Sequence, residues 1–289
     1  MLCRNKLASS VLLAAVFSGL VMSCQKTVKP ALPKDYPTDN VTLPSGPLRF
    51  YLPFDSTSTD ANQINIRFAD SISGYPSFFP DASVKFTDGV RGTAYQGAYD
   101  HYIHYYNAND FAQASDFTIA FWFRATLAQK DHTNADGVLA LSSTVSFWSN
   151  FVVYVDHETS TSDSLIFKIH FQNGPNDNWD FASYDGNKRL PHGYDGNWHH
   201  IAFTYDAGAQ TGKLYYDGAL YDTKTNEVIK FDGNANQLVV GGFQEAIGIV
   251  DTYANNSWMS GWPGDLDNIR LYNAALTDAD VQGLYTNKQ

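Results

Sequence analysis

The chain has 289 residues, of which 15% are aromatic and only 17% charged, and a net charge of -11. That balance repels polyanions, and no basic cluster reverses it, so nucleic acid and anionic lipid surfaces are excluded as partners. The two cysteines, Cys3 and Cys24, both fall at the N-terminus, which leaves everything behind them without disulfides, thiolate metal ligands or a cysteine nucleophile.

In chain order, Arg4 and Lys6 precede an apolar run from Leu7 to Val21, followed by Val21-Met22-Ser23-Cys24, which resembles a bacterial lipobox. The run is shorter than the roughly 20 apolar residues that a spanning helix needs, so residues 1–23 are read as a cleaved signal peptide. The mature protein is then expected to start at an acylated Cys24 and to sit in the bacterial cell envelope, with the outer membrane as the expected site. The alternative is an ordinary secretory signal in which Cys24 is incidental. Residues 24–47 carry Pro30, Pro33, Pro37, Pro44 and Pro47 and few large apolar side chains, and read as an extended tether.

From Leu48 the hydrophobic period changes to two. Phe117, Ile119, Phe121 and Phe123 alternate with Thr118, Ala120, Trp122 and Arg124 across 116–124. Leu165, Phe167, Ile169 and Phe171 alternate with Ile166, Lys168, His170 and Gln172 across 164–172. Further strands are expected at 48–54, 83–87, 102–106, 137–142, 151–156, 198–205, 213–217, 237–241 and 265–272, separated by Asp-Gly and Gly-Gly turns. Only 277–286 reads as helix, with Thr277 as N-cap, Asp278 and Asp280 in the first turn, and Val281, Leu284 and Tyr285 on the apolar face. Many short strands with one helix predict an all-β, two-sheet antiparallel sandwich over residues 48–289.

Several separated segments carry a family resemblance. They are Tyr51-Leu52-Pro53-Phe54-Asp55, the Phe86–Tyr95 stretch with its Asp88-Gly89 turn, Asp116–Arg124, Trp198–Asp206 leading into Lys213–Gly218, and Gly264–Asn273 before Ala275-Leu276-Thr277. Together they resemble the laminin G-like, concanavalin A-like lectin/glucanase jelly rolls of secreted bacterial proteins. The resemblance implies a jelly-roll fold and a lectin-like role. It also implies that a structural Ca2+ joins the first and last strands, with Asp55, Asp60, Asp265 and Asp267 as candidate ligands. Calcium takes six to eight oxygen ligands, which such loops supply. The stretch Asp60-Ala61-Asn62-Gln63-Ile64-Asn65 departs from the family's usual first loop, and the alternative is that these are solvated turn aspartates.

Catalysis finds little support. Glycosidases of this fold need a carboxylate pair, and retaining chemistry sets the two about 5 to 5.5 Å apart. The three glutamates, Glu158, Glu227 and Glu245, are isolated from any such motif. Adjacent His199 and His200 point to opposite faces of a strand and cannot readily share one zinc ion.

The aromatic residues outside the family pattern are more informative. Trp148, Trp179 and Trp258 each lie among Asn, Asp or Ser, as in Asn178-Trp179-Asp180 and Asn255-Asn256-Ser257-Trp258. An indole beside amides and carboxylates suits a sugar ring, whose C–H face packs on the aromatic while its hydroxyls bond the polar groups. Trp148, Trp179 and Trp258, with Asn178 and Asp180, are therefore the expected carbohydrate-binding residues. The alternative is that such tryptophans plug the edges of the sandwich. Tyr154 and His170 are added as candidate carbohydrate-binding residues, because a second surface carries Tyr154, Asp156, Lys168 and His170 on alternate strand positions that could line a groove; the favoured alternative is an ordinary solvated outer face. The expected function is carbohydrate capture without chemistry, with no catalytic residues. The alternatives are a protein-binding or adhesion module and a glycoside hydrolase.

Overall fold

The structure, a computed structural model, describes residues 43–55, 68–78, 85–131, 133–171, 189–232 and 236–289. The expected signal peptide with Cys24, most of the tether, Asp60, and Asn178, Trp179 and Asp180 lie outside the described residues.

Among the described residues, fourteen strands follow in order: β1 Leu48–Leu52, β2 Lys85–Asp88, β3 Thr93–Gln96, β4 Ile103–Tyr105, β5 Phe117–Arg124, β6 Ala135–Leu141, β7 Phe151–Asp156, β8 Ile166–Phe171, β9 His199–Asp206, β10 Thr211–Tyr216, β11 Ala219–Thr225, β12 Leu238–Val240, β13 Met259–Gly261 and β14 Asp265–Tyr272. A C-terminal helix, α1, spans Asp278–Thr286. The larger sheet runs β11-β10-β9-β5-β14-β3-β2, with β1 also paired to β14. The smaller runs β4-β12-β6-β7-β8, with β13 alongside β6. All pairs are antiparallel except β13 with β6. This is the expected two-sheet jelly roll with one short helix.

The period-two pattern explains how the sheets face each other. Phe117, Ile119, Phe121 and Phe123 of β5 and Phe151, Val153, Val155, Phe167, Ile169 and Phe171 of β7 and β8 all enter one buried core. Aromatic rings interlock there, with Phe171 and Phe203 5.0 Å apart and Phe117 and Phe171 5.6 Å apart. Each such side chain contributes roughly 1.5–3 kcal/mol by leaving water, which supplies without disulfides what a crosslinked domain of this kind would take from them.

The alternate positions form two outer faces. Over the larger sheet, α1 covers Ala120, Ala202, Tyr215 and Tyr272 with Val281 and Leu284. Thr277 caps it as expected, accepting from the Asp280 N–H while Asp280 bonds back. Over the smaller sheet lies a second apolar cluster, of Ala135, Ala140, Val152, Tyr154, Val239, Phe243 and Met259. Tyr154, Asp156, Lys168 and His170 belong to this face but are buried, which corrects the reading of it as solvated. The reason is local. Trp148 lies on Tyr154 and His170, while the Lys168 ammonium pairs with Asp156 at 3.2 Å.

Candidate carbohydrate-binding site

Strands β7 and β8 place Val152 opposite His170 and Tyr154 opposite Lys168. The turn before β7 carries Phe147 and Trp148 over that face. The Trp148 ring is stacked on Tyr154 at 5.9 Å and 16°, and stands 4.6 Å from His170. Trp258, just before β13, meets Trp148 at 5.8 Å and 53°, and Phe243 at 6.1 Å. Its carbonyl accepts from the Ala135 N–H at 2.8 Å, which ties it to the start of β6. Four of the expected binding residues, Trp148, Tyr154, His170 and Trp258, thus converge in one aromatic group. Trp258, 37% exposed, presents its indole to solvent, whereas Trp148 is half-buried and doubles as packing.

One buried amide holds this arrangement together. Gln244 Oε1 accepts from the Ser143 N–H at 2.8 Å, and its Nε2 donates to the carbonyls of Ser146 at 2.6 Å and Phe147 at 3.1 Å. The Tyr253 hydroxyl accepts from the Phe243 N–H at 3.0 Å. In the loop before Trp258, Asn255 donates to Asp251 at 2.6 Å, and such bonds hold the Asp251 carboxyl below its usual range. Sequence reasoning missed Phe147, Phe243, Gln244 and Tyr253. Phe147 was legible as the neighbour of Trp148. Gln244 carried no local signal, because its partners lie about a hundred positions away.

The aspartates separate into two environments. A bulge between Asp267 and Arg270 leaves Leu266 and Ile269 both facing the core, with Asn268 in the left-handed region at φ 51°. Asp267 Oδ2 accepts from the Val90 N–H at 2.8 Å, while Oδ1 is buried without a partner. Burial, with Asp55's charge adding, raises its carboxyl to about 7 against those backbone bonds. Asp55 accepts from the Thr93 N–H at 3.1 Å. The turn between β2 and β3 comes this close only because it is built on glycine. A Cβ at Gly89 would meet Asp267 Oδ2 at 2.6 Å, and one at Gly92, where φ is +56°, would collide with Asp55. Asp55 and Asp267 therefore suit a hard cation. Asp265 does not, because Arg124 holds it at 2.8 Å.

Other polar side chains are engaged in the framework. His199 sits between Asp217 at 2.8 Å and Asp195 at 3.2 Å. His200 faces the opposite side, fully buried, where burial lowers its imidazole to about 3. Glu158 pairs with buried Lys130 at 2.5 Å and with Arg189. Among the described residues, no group of three or more His, Cys, Asp or Glu side chains could hold a metal, so a cation at Asp55 and Asp267 would draw its remaining ligands from amides and carbonyls.

The model of the Concanavalin A-like lectin/glucanases superfamily matches residues 96–282, and the chain belongs to that family. Among solved structures it is similar to domain 4 of AbnA, a GH43 extracellular arabinanase from Geobacillus stearothermophilus, solved with arabinotriose. That match has TM-score 0.53 and 17% identity, and covers 83% of this chain and 98% of that one. It is also similar to the binding domain of botulinum neurotoxin DC, solved with rat synaptotagmin II, at TM-score 0.54 and 16% identity over 84% of this chain and 52% of that one. The binding domain of Paraclostridial Mosquitocidal Protein 1 matches at TM-score 0.53 and 16% identity, over 83% and 52%. The chain spans about half the length of those two, and at these identities the likeness is one of fold. No curated protein sequence matches the chain.

Proposed function

We propose that the protein is a lipid-anchored component of the cell envelope whose jelly-roll domain binds carbohydrate and performs no chemistry on it. The observation that carries this reading is the convergence of Trp148, Tyr154, His170 and Trp258 on one sheet face, with the Trp258 indole open to solvent. A sugar ring packs on that indole, while the Asn- and Asp-rich loop leading into it offers hydroxyl partners. The arabinotriose in the AbnA domain agrees with a sugar ligand on this fold. Glu158, held between Lys130 and Arg189, is ill placed to act as a catalytic carboxyl, which favours binding over hydrolysis. Lipid attachment at Cys24 would keep captured glycan at the membrane for a neighbouring uptake or degradation system. Calcium, held through Asp55 and Asp267, would join the end of β1 to β14 and supply the counter-charge for a buried carboxylate.

A glycan array tests the reading. Wild-type protein should bind oligosaccharides on it and release no reducing ends from the corresponding polysaccharide. Silence across the array, with capture of a protein ligand instead, would move the domain to the adhesion class, and released reducing ends would make it a hydrolase.

A further inference from the structure

The aromatic group at Trp148 stands at one end of a single transverse row of the smaller sheet. Paired positions run His170, Val152, Ala140, Val239 and His104 across β8, β7, β6, β12 and β4, and the row continues to Phe78, bridged to His104 beyond the β4 edge. Directly paired residues point to the same face, so Phe78 and His104 share the face of His170 and of the Trp148 ring above it. At the far end the aromatic group repeats. Tyr106 lies 4.3 Å from His104 and 6.0 Å from Phe78, and the two outer rings are open, Tyr106 at 63% and Phe78 at 49% exposure. Five strand spacings of about 4.8 Å set His170, beneath the Trp148 ring, roughly 24 Å from Phe78, the reach of several sugar rings.

The chemistry of the second group is that of the first. Stacking faces lie beside amides, with Gln237 Oε1 2.7 Å from His104 Nε2 and Asn107 following Tyr106 and bonded to Asn236 at 2.6 Å. Burial lowers the His104 imidazole, which leaves it uncharged at neutral pH. The chain charge of -11 selects against polyanions.

Resting on the carbohydrate reading above, we propose that Phe78 and Tyr106 form a second sugar platform, engaged by the same neutral glycan chain that occupies Trp258. The protein then recognises the interior of an extended polysaccharide rather than its terminal unit. Two platforms on one ligand act by effective concentration, so affinity rises with chain length until both ends are reached.

The test is a titration of wild type, a Phe78→Ala, Tyr106→Ala double variant and Trp258→Ala against arabino-, xylo- and cello-oligosaccharides from disaccharide to octasaccharide. Because both rings are largely exposed, the double variant should keep the wild-type melting curve, and Tyr106→Ala alone serves if it does not. The expected result is a wild-type affinity that climbs with length, a loss of roughly five-fold or more in the double variant confined to the longest chains, and equal affinity for the shortest. Identical length dependence in wild type and double variant, while Trp258→Ala still weakens binding at every length, overturns the second platform alone. Wild type that binds no oligosaccharide of any length overturns both readings.

Discussion

Gln244 and Asp136 show how much single buried side chains decide in this molecule. Replacing Gln244 with Ala would strip a partner from the Ser143 N–H and from two carbonyls. Leaving buried groups unpaired costs roughly 1–3 kcal/mol, and here the loss falls on the turn that carries Trp148. Thermal melting should show a lower Tm, together with weaker glycan binding. An unchanged Tm would mean that the turn is held by its apolar contacts instead. Asp136 is buried beside the Ser260 hydroxyl, which donates to it at 2.6 Å, and burial raises its carboxyl to about 8. Its protonated form is favoured by folding, so this stability is complete below the unfolded value near 4 and is lost as pH rises toward about 8. His199 works in the same direction. Burial opposes its charge, but Asp217 and Asp195 outweigh it and raise the imidazole, so its contribution is present below about 6.5 and lost above the raised value. Stability should therefore fall between pH 6.5 and 8, by up to about 1.4 kcal/mol per pH unit for Asp136 alone. Asp136→Asn, which still accepts from Ser260, should flatten that slope in melts across the window. An equally steep slope in the variant would assign the effect elsewhere.

At the scale of elements, β14 and α1 hold the larger sheet together. The bulge in β14 turns Asp267 toward the glycine turn between β2 and β3, and the Asp55 carboxylate reaches the same turn from the end of β1. A cation there would join three separate chain segments. At calcium about a hundred-fold above Kd the native state gains about 2.7 kcal/mol, so EDTA should lower Tm by roughly 5 to 10 °C. Asp267→Asn should remove most of that shift, and a melting curve indifferent to EDTA and to added calcium would reject the site. The helix α1 is simpler. It seals the outer face through Val281 and Leu284, Tyr285 stacks on Trp122 at 5.6 Å, and the indole N–H of Trp122 donates to the Gln289 carbonyl at 2.8 Å. Losing its N-cap in Thr277→Ala should cost about 1 kcal/mol, or roughly 2 to 4 °C in Tm. A wild-type Tm would show that packing alone fixes the helix.

Over the whole molecule, legibility in the sequence followed burial. Strands β5 and β8 could be read because one face of each meets an apolar core, which enforces alternation. Strand β11, Ala-Leu-Tyr-Asp-Thr-Lys-Thr, could not. It is an edge strand, largely open to solvent, with no core to impose a period. Strand β13 is three residues ending in glycine and pairs parallel to β6, a contact with no local sequence signature. For the site, polar settings pointed to Trp148 and Trp258. The spacing along the chain, 110 positions, gave no hint that the two rings touch. The buried face under them was misread because part of its cover, Phe243 and Trp258, comes from segments distant in sequence and joins the nearby Trp148 only in the fold. If Trp258 is a sugar platform, the affinity of Trp258→Ala for an oligosaccharide that wild type binds will show it. The variant should keep the wild-type melting curve and bind roughly five- to a hundred-fold more weakly, the loss of one stacking contact of about 1 to 3 kcal/mol. A folded variant that binds the same oligosaccharide with wild-type affinity would contradict it.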